Sequence, residues 1–86
     1  MRVVVVYRDN YDYTRDVIDY IHDFYHQTGH QLEEMDPDSP EGTLFCETYG
    51  IVRYPTVIAL NAESIMQSSW SGLPFPTISE LSYYVQ

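Results

Sequence analysis

The sequence contains no lysine, and its positive charge is limited to four arginines. A chain without lysine cannot form a lysine Schiff base and cannot supply the lysine of a phosphate-binding P-loop. Thirteen acidic residues bring the formal net charge to −9, so the surface repels the phosphate groups of nucleic acids and of anionic lipids. We therefore expect neither a nucleic-acid partner nor a membrane partner.

Cysteine is almost as scarce, because Cys46 is the single cysteine of the chain and an internal disulfide bond is excluded. A free thiol is compatible with a reducing compartment, and the cytoplasm is the expected location. The apolar run at residues 3–7 is far too short to cross a membrane. With 86 residues, 44% of them apolar, residues 1–86 are expected to form a single domain with one small core.

The first half of the chain begins with a β-branched run at residues 2–7, which predicts a strand covered on both faces. Residues 9–12, Asp-Asn-Tyr-Asp, supply turn and N-cap side chains for a first helix over residues 13–28, which Gly29 ends. The buried stripe predicted for this helix consists of Val17, Ile18, Ile21, Phe24 and Tyr25.

The rest of the chain also begins with a strand followed by a helix. A weaker strand is predicted at residues 30–35, and a second helix follows, with Ser39 as its N-cap, Pro40 at its first position and Gly50 at its end. The remaining signals predict two strands joined by a turn and a last helix with a capping box, at residues 56–60, 64–70 and 77–85.

The stretch Tyr-Gly-Ile-Val-Arg-Tyr-Pro-Thr-Val at residues 49–57 resembles the segment of thioredoxins in which a helix end leads through a cis-proline and a threonine into the third strand. Residues 33–40 resemble the loop before the second helix, and Gly72 resembles the glycine beside the cis-proline. The resemblance implies an α/β thioredoxin-like fold, β-α-β-α-β-β-α, with a four-stranded mixed sheet flanked by three helices. It also implies a cis peptide bond before Pro55.

The redox chemistry of that family does not carry over. Thioredoxins and glutaredoxins place a Cys-x-x-Cys pair, or one cysteine, between the first strand and the first helix, whereas residues 8–15 of this chain contain no cysteine. The buried acid that assists thiol exchange in thioredoxins is missing as well, because the first strand offers only valines there. We assign no catalytic residue and no cofactor, and we expect no dithiol–disulfide activity.

The groove beside the cis-proline is the candidate ligand site. In thioredoxin-like proteins the main chain before this proline binds an extended peptide or glutathione, and the positions matched here are Tyr54, Pro55 and Gly72. By position, four apolar or aromatic residues join them, namely Tyr11, Tyr13, Leu73 and Phe75. Three arginines are expected at the same end of the sheet and favour an anionic ligand: Arg8, Arg15 and Arg53. The implied function is a binding or adaptor module for a peptide or a small anionic ligand.

Three alternatives stay open at this stage. In the first, the cis-proline only terminates the strand, and Arg8 and Arg15 pair with Asp9, Asp12 and Asp19. Cys46 is interpreted as a small buried hydrophobe, but a divergent thiol-dependent oxidoreductase or glutathione-using enzyme would act through it. His22 and His26 have the i, i+4 spacing that holds a metal ion, yet both are expected on the exposed helix face, which favours adventitious binding of nickel or zinc over a functional metal site.

Overall fold

The computed structural model of the protein describes residues 2–85. It contains four strands, three α-helices and a final 3₁₀ turn, in the order β1 (Arg2–Val6), α1 (Thr14–Thr28), β2 (Glu33–Met35), α2 (Pro40–Tyr49), β3 (Thr56–Leu60), β4 (Met66–Ser71), α3 (Ile78–Ser82) and the 3₁₀ turn (Tyr83–Val85). The predicted order of elements is confirmed.

The four strands form one mixed sheet in the order β2-β1-β3-β4. The β1–β2 pair is parallel, which requires the crossover through α1, whereas β1–β3 and β3–β4 are antiparallel. The turn between β3 and β4 is closed by the Asn61 side chain, whose Oδ1 accepts hydrogen bonds from the backbone N–H groups of Glu63 and Ile65. Among the helices of residues 2–85, none combines the length and the apolarity that a bilayer crossing requires.

The valines of β1 divide between the two faces of the sheet, because successive side chains of a strand point in opposite directions. One face, which we call the α1 face, packs against α1 and α3; its buried residues are Val3, Val5, Val17, Ile21, Phe24, Leu32, Val57, Ala59 and Leu81. The other, the α2 face, packs against α2; its buried residues are Val4, Val6, Cys46, Ile51, Ile58 and Leu60. β1 and β3 are therefore covered on both sides, as their unbroken apolar runs predict.

The start of α1 differs from the sequence-based prediction. No acidic or amide side chain of residues 9–12 caps this helix; its N-cap is Tyr13, which makes no side-chain cap hydrogen bond. Thr14 closes the loop instead, since its hydroxyl accepts from the Tyr11 N–H at 3.1 Å and donates to the Arg8 carbonyl at 2.8 Å. The other two helix starts are as predicted, with Ser39 capping α2 and a Thr77–Glu80 capping box on α3.

Two residues of the predicted α1 stripe are half exposed, Ile18 and Tyr25, at 48% each. Only Val17, Ile21 and Phe24 are buried on this helix, because positions i, i+4 and i+7 form a single line that faces the sheet. Three strands are shorter than predicted: β1 ends at Val6, β2 begins only at Glu33, and β4 begins only at Met66. The last helix is shorter as well, because α3 ends at Ser82 and the chain continues as a 3₁₀ turn.

Candidate functional site

The loop that joins α2 to β3 is fixed against the end of β4. The Tyr54–Pro55 peptide bond is cis, as the resemblance implies, and Pro55 is fully buried. The Gly72 N–H donates to the Pro55 carbonyl at 2.8 Å, and Gly72 has φ +73°, a conformation that favours glycine. The Thr56 hydroxyl donates to the Arg53 carbonyl at 2.6 Å. The structure thus brings Tyr54, Pro55 and Gly72 together at one end of the sheet.

Arg8 connects this loop to the loop before α2. Its guanidinium donates two hydrogen bonds to the Asp38 carboxylate, from Nε at 2.9 Å and from Nη2 at 3.1 Å. The same guanidinium lies over the Tyr54 ring, 4.7 Å from its centroid, in a cation–π contact. The hydrogen bond to Asp38 raises the pKa of Arg8, so the side chain remains a cation. Arg8 therefore holds the Tyr54 ring in place.

Two tyrosines of the loop after β1 extend the same surface. The Tyr13 hydroxyl accepts a hydrogen bond from the Arg8 backbone N–H at 3.0 Å, and the Tyr11 ring stacks on the Tyr13 ring with centroids 5.5 Å apart. Tyr11 is more than half exposed. We call the four side chains of Arg8, Tyr11, Tyr13 and Tyr54 the aromatic cluster.

The other four residues of the predicted site do not join this cluster. Arg15 pairs with Asp19 at 3.4 Å within α1, as the structural alternative expects, and its side chain is 85% exposed; Arg8 pairs with Asp38 instead of the expected Asp9 or Asp12. Phe75 stacks on Tyr20, 4.6 Å between centroids, at the margin of the α1 face. Leu73 and Arg53 are exposed, and within residues 2–85 Arg53 forms no ion pair. Their part in ligand binding stays a prediction.

Asp38 is the contact residue that the sequence analysis missed. It lies in the Asp-Pro-Asp-Ser-Pro stretch before α2, within the residues whose sequence resembles the loop before the second helix of thioredoxins. The turn itself is well ordered by local hydrogen bonds, since the Asp36 Oδ1 accepts from the Asp38 N–H at 2.9 Å. The sequence feature that could have indicated this contact is the excess of acidic residues, because an arginine in such a chain is expected to pair with a carboxylate.

Negative charge is also present beside the cluster. A cavity of about 290 Å³ at the same end of the sheet is lined by Tyr7, Asp9, Glu34, Met35 and Asp36. The Tyr7 hydroxyl donates to the Glu34 carboxylate, and burial, followed by this hydrogen bond, raises the pKa of Tyr7 well above its ordinary value. The predicted excess of positive charge at this end is thus offset by carboxylates.

Cys46 lies behind Tyr54, on the α2 face of the sheet. It is a free, buried cysteine, as interpreted from the sequence, and the Tyr54 hydroxyl points at its Sγ from 4.0 Å. Burial and this contact raise the pKa of the Tyr54 hydroxyl, with burial the larger cause. Cys46 and Tyr54 both line a surface depression of about 310 Å³.

The two histidines of α1 lie far from the aromatic cluster, in the second half of the helix. Both are exposed, as expected, and their Nε2 atoms approach to 3.3 Å. Within residues 2–85, no group of three or more histidine, cysteine or acidic side chains is placed to hold a metal ion.

Comparison with known proteins identifies a likeness of fold. No family model matches the chain, and no curated protein matches its sequence. Among solved structures, the chain is similar to thioredoxin 1 from the thermophilic eubacterium Thermosipho africanus TCF52B, with a TM-score of 0.67 and 18% sequence identity. The match covers 99% of this chain and 90% of that chain.

Proposed function

Because the chain has a thioredoxin-like fold with no cysteine in the loop after β1, we propose that it is a non-redox binding or adaptor module. Its ligand is an extended peptide bound at the Tyr54–Pro55 loop. One observation carries the proposal: within residues 2–85, neither the N–H nor the carbonyl of Tyr54 has a hydrogen-bond partner, while the next carbonyl, that of Pro55, is bound by Gly72. A backbone free in this way is able to pair with an added strand.

The aromatic cluster supports the same proposal. Rigid tyrosines and arginine are the residues that contribute most to binding at protein interfaces, because they give contact area with little loss of side-chain entropy. Tyr54 is oriented by Arg8, and Arg8 is held by Asp38, so little ordering remains for the ligand to impose. The peptide backbone would pair with Tyr54 while an apolar side chain contacts Tyr11 and Tyr13.

In this proposal, the charge of the ligand contributes less to the affinity than the backbone and aromatic contacts do. An anionic group would meet Arg53, since Arg8 is already neutralised by Asp38. An exposed arginine contact is screened by salt and contributes about 0–1 kcal/mol. Affinity should therefore weaken only modestly between low and physiological salt. We keep the cytoplasm as the expected location, because a single free thiol is compatible with a reducing compartment.

The test is a titration of the ¹⁵N-labelled protein with a library of extended peptides, followed through amide chemical shifts. We expect shifts concentrated at residues 8–13, 53–56 and 72. Tyr54→Ala should weaken binding strongly and Arg53→Ala modestly. Arg2→Ala is the matched control, because Arg2 also pairs with a carboxylate, Glu33, but at the opposite end of β1. Shifts confined to the acidic side of α1, or equal effects of Tyr54→Ala and Arg2→Ala, would contradict the proposal.

A rival function, thiol chemistry at Cys46, is favoured by one observation, namely that Cys46 lines the depression beside Tyr54. A titration of the folded protein with a thiol reagent separates the two functions. The binding module has an inert thiol that reacts slowly until the protein is unfolded, whereas an enzyme has a thiol that reacts at once. The binding module should also fail to reduce insulin disulfides beyond the rate of a Cys46→Ser control.

A further inference from the structure

We propose that His22 and His26 form a two-histidine chelate for a divalent first-row transition metal ion. The Nε2 atoms of the two imidazoles converge to 3.3 Å, and the rings meet nearly at right angles, with centroids 4.4 Å apart. The sequence shows only the i, i+4 spacing; the convergence of the two nitrogens is a property of the folded chain. This site is independent of the peptide site at the Tyr54–Pro55 loop.

The separation of the two nitrogens is the separation that a tetrahedral metal ion requires. With metal–nitrogen bonds of about 2.0–2.1 Å and a tetrahedral angle, two nitrogen ligands lie roughly 3.3–3.4 Å apart. The observed 3.3 Å falls in this interval, so the two nitrogens already have the separation that a shared ion requires, and the rings have to turn until both lone pairs point at the ion. A hydrogen bond between two neutral imidazoles is the other arrangement that brings these nitrogens together, and metal binding would replace it.

The helix that presents the pair is held rigidly. Val17, Ile21 and Phe24 bury the opposite side of α1 against the sheet, and Gly29 ends the helix in a left-handed conformation with its N–H bonded to the Tyr25 carbonyl. Both imidazoles are therefore presented to solvent on the side of α1 that faces away from the sheet. The net charge of −9 attracts cations to the surface.

The chemistry of the ligands selects the class of metal. Neutral imidazole suits Cu²⁺, Ni²⁺ and Zn²⁺, with the affinity highest for Cu²⁺, whereas Mg²⁺ and Ca²⁺ prefer oxygen ligands. Within residues 2–85 no third histidine, cysteine or acidic side chain completes the set, so water occupies the remaining positions of the bound ion. The site is therefore an open chelate on the protein surface.

The experiment is an isothermal titration of the full, untagged chain with Ni²⁺, and with Mg²⁺ for comparison. We expect one Ni²⁺ per chain and no response to Mg²⁺. His22→Ala and His26→Ala should each lower the Ni²⁺ affinity at least about tenfold, the loss already typical for removal of a group that only supports a metal ligand. His30→Ala is the matched control, because His30 is exposed and lies beyond the end of α1.

A second measurement distinguishes the loss of a metal ligand from a change in the structure of the helix. Ni²⁺ should raise the urea midpoint of the wild type and of His30→Ala, since the two nitrogens converge only in the folded helix, and should leave the midpoint of His22→Ala unchanged. The proposal is overturned if Ni²⁺ binds equally well to His22→Ala, which would assign binding to the carboxylates. It is also overturned if His30→Ala loses as much affinity as His26→Ala, or if the wild type does not bind Ni²⁺ at millimolar concentration.

Discussion

The two faces of the sheet are built differently. On the α1 face, α1 contributes three buried side chains and α3 contributes Leu81, and a ring of partly buried aromatic residues surrounds them, including Tyr20, Trp70 and Phe75. On the α2 face, α2 contributes only Gly42 and Cys46 as buried residues, and the remaining buried side chains come from the strands and from Ile51.

We expect the α1 face to contribute most of the stability and the Tyr54–Pro55 loop to contribute to binding. The larger core lies on the α1 face, and burial of apolar surface is the main source of folding free energy. The α2 face carries less buried apolar surface. Tyr54 packs on that core and its hydroxyl faces Cys46, whereas Tyr13 of the same aromatic cluster packs on the core of the α1 face. Core substitutions on the α1 face should therefore change stability most, and changes near the Tyr54–Pro55 loop should change binding at small cost in stability.

The largest effect is expected for Phe24→Ala on the α1 face. Phe24 is fully buried, so truncation removes apolar contacts and leaves a cavity, with an expected loss of about 3–5 kcal/mol in the free energy of unfolding. Urea unfolding followed by circular dichroism measures it. Tyr25→Ala is the control, because Tyr25 is half exposed on the same helix. Similar losses for the two variants would show that the α1 face is not the main core.

The next effect is expected for Gly42→Ala on the α2 face. Alanine normally stabilises a helix relative to glycine, but here an added Cβ would lie 1.7 Å from the Asp36 carbonyl oxygen. The loop before α2 must then shift, and we expect a loss of about 1–3 kcal/mol. Leu44→Ala, at an exposed position of the same helix, should change stability by less than about 0.5 kcal/mol. An increase in stability for Gly42→Ala would show that the loop before α2 moves away from the added Cβ at little cost.

A smaller, pH-dependent effect is expected for Tyr20→Phe. The Tyr20 hydroxyl donates to the Pro76 carbonyl at 2.8 Å, and the substitution should cost about 0.5–1.5 kcal/mol at neutral pH. Burial raises the pKa of Tyr20 to about 12, so the native state keeps this proton when the unfolded state, near the ordinary value of 10, has lost it.

The free energy of unfolding should therefore fall as the pH rises from 10 to 12. Tyr7 and Tyr54, whose pKa values are also raised, act in the same direction. The measurement is the difference between wild type and Tyr20→Phe across that range. A constant difference would mean that Tyr20 titrates normally in the folded protein.

The smallest effect on stability is expected for Asp38→Asn at the aromatic cluster. The Arg8–Asp38 pair is partly exposed, and such pairs contribute little to stability because solvent and salt screen them. The substitution should leave the urea midpoint almost unchanged while it shifts the amide signals of Arg8 and Tyr54, because the guanidinium loses one of its two partners. A large loss of stability together with unchanged amide signals would show that the Arg8–Asp38 pair stabilises the fold and does not position Tyr54.

The groove residues illustrate how much of the site was predictable. Pro55 and Gly72 were identified through the resemblance of residues 49–57 and of Gly72 to the thioredoxin segment, and the structure brings the two residues together. Tyr11 and Tyr13 were assigned to the groove by position alone; in the structure they lie beside Arg8, and their part in ligand binding stays a prediction. The pairing of Arg8 with Asp38 was not foreseen, since the two residues are separated by 30 positions and meet only through the parallel β1–β2 pair.

The sequence by itself determined the elements of this protein and their order, because strand runs, helix caps, glycine ends and the proline turn depend on interactions within a few residues. Only the tertiary structure decided which side chains meet: Phe75 packs on Tyr20, and the two histidine nitrogens converge on a helix whose other side is buried. Such contacts depend on how elements pack, and packing is determined by the shape and volume of many side chains at once.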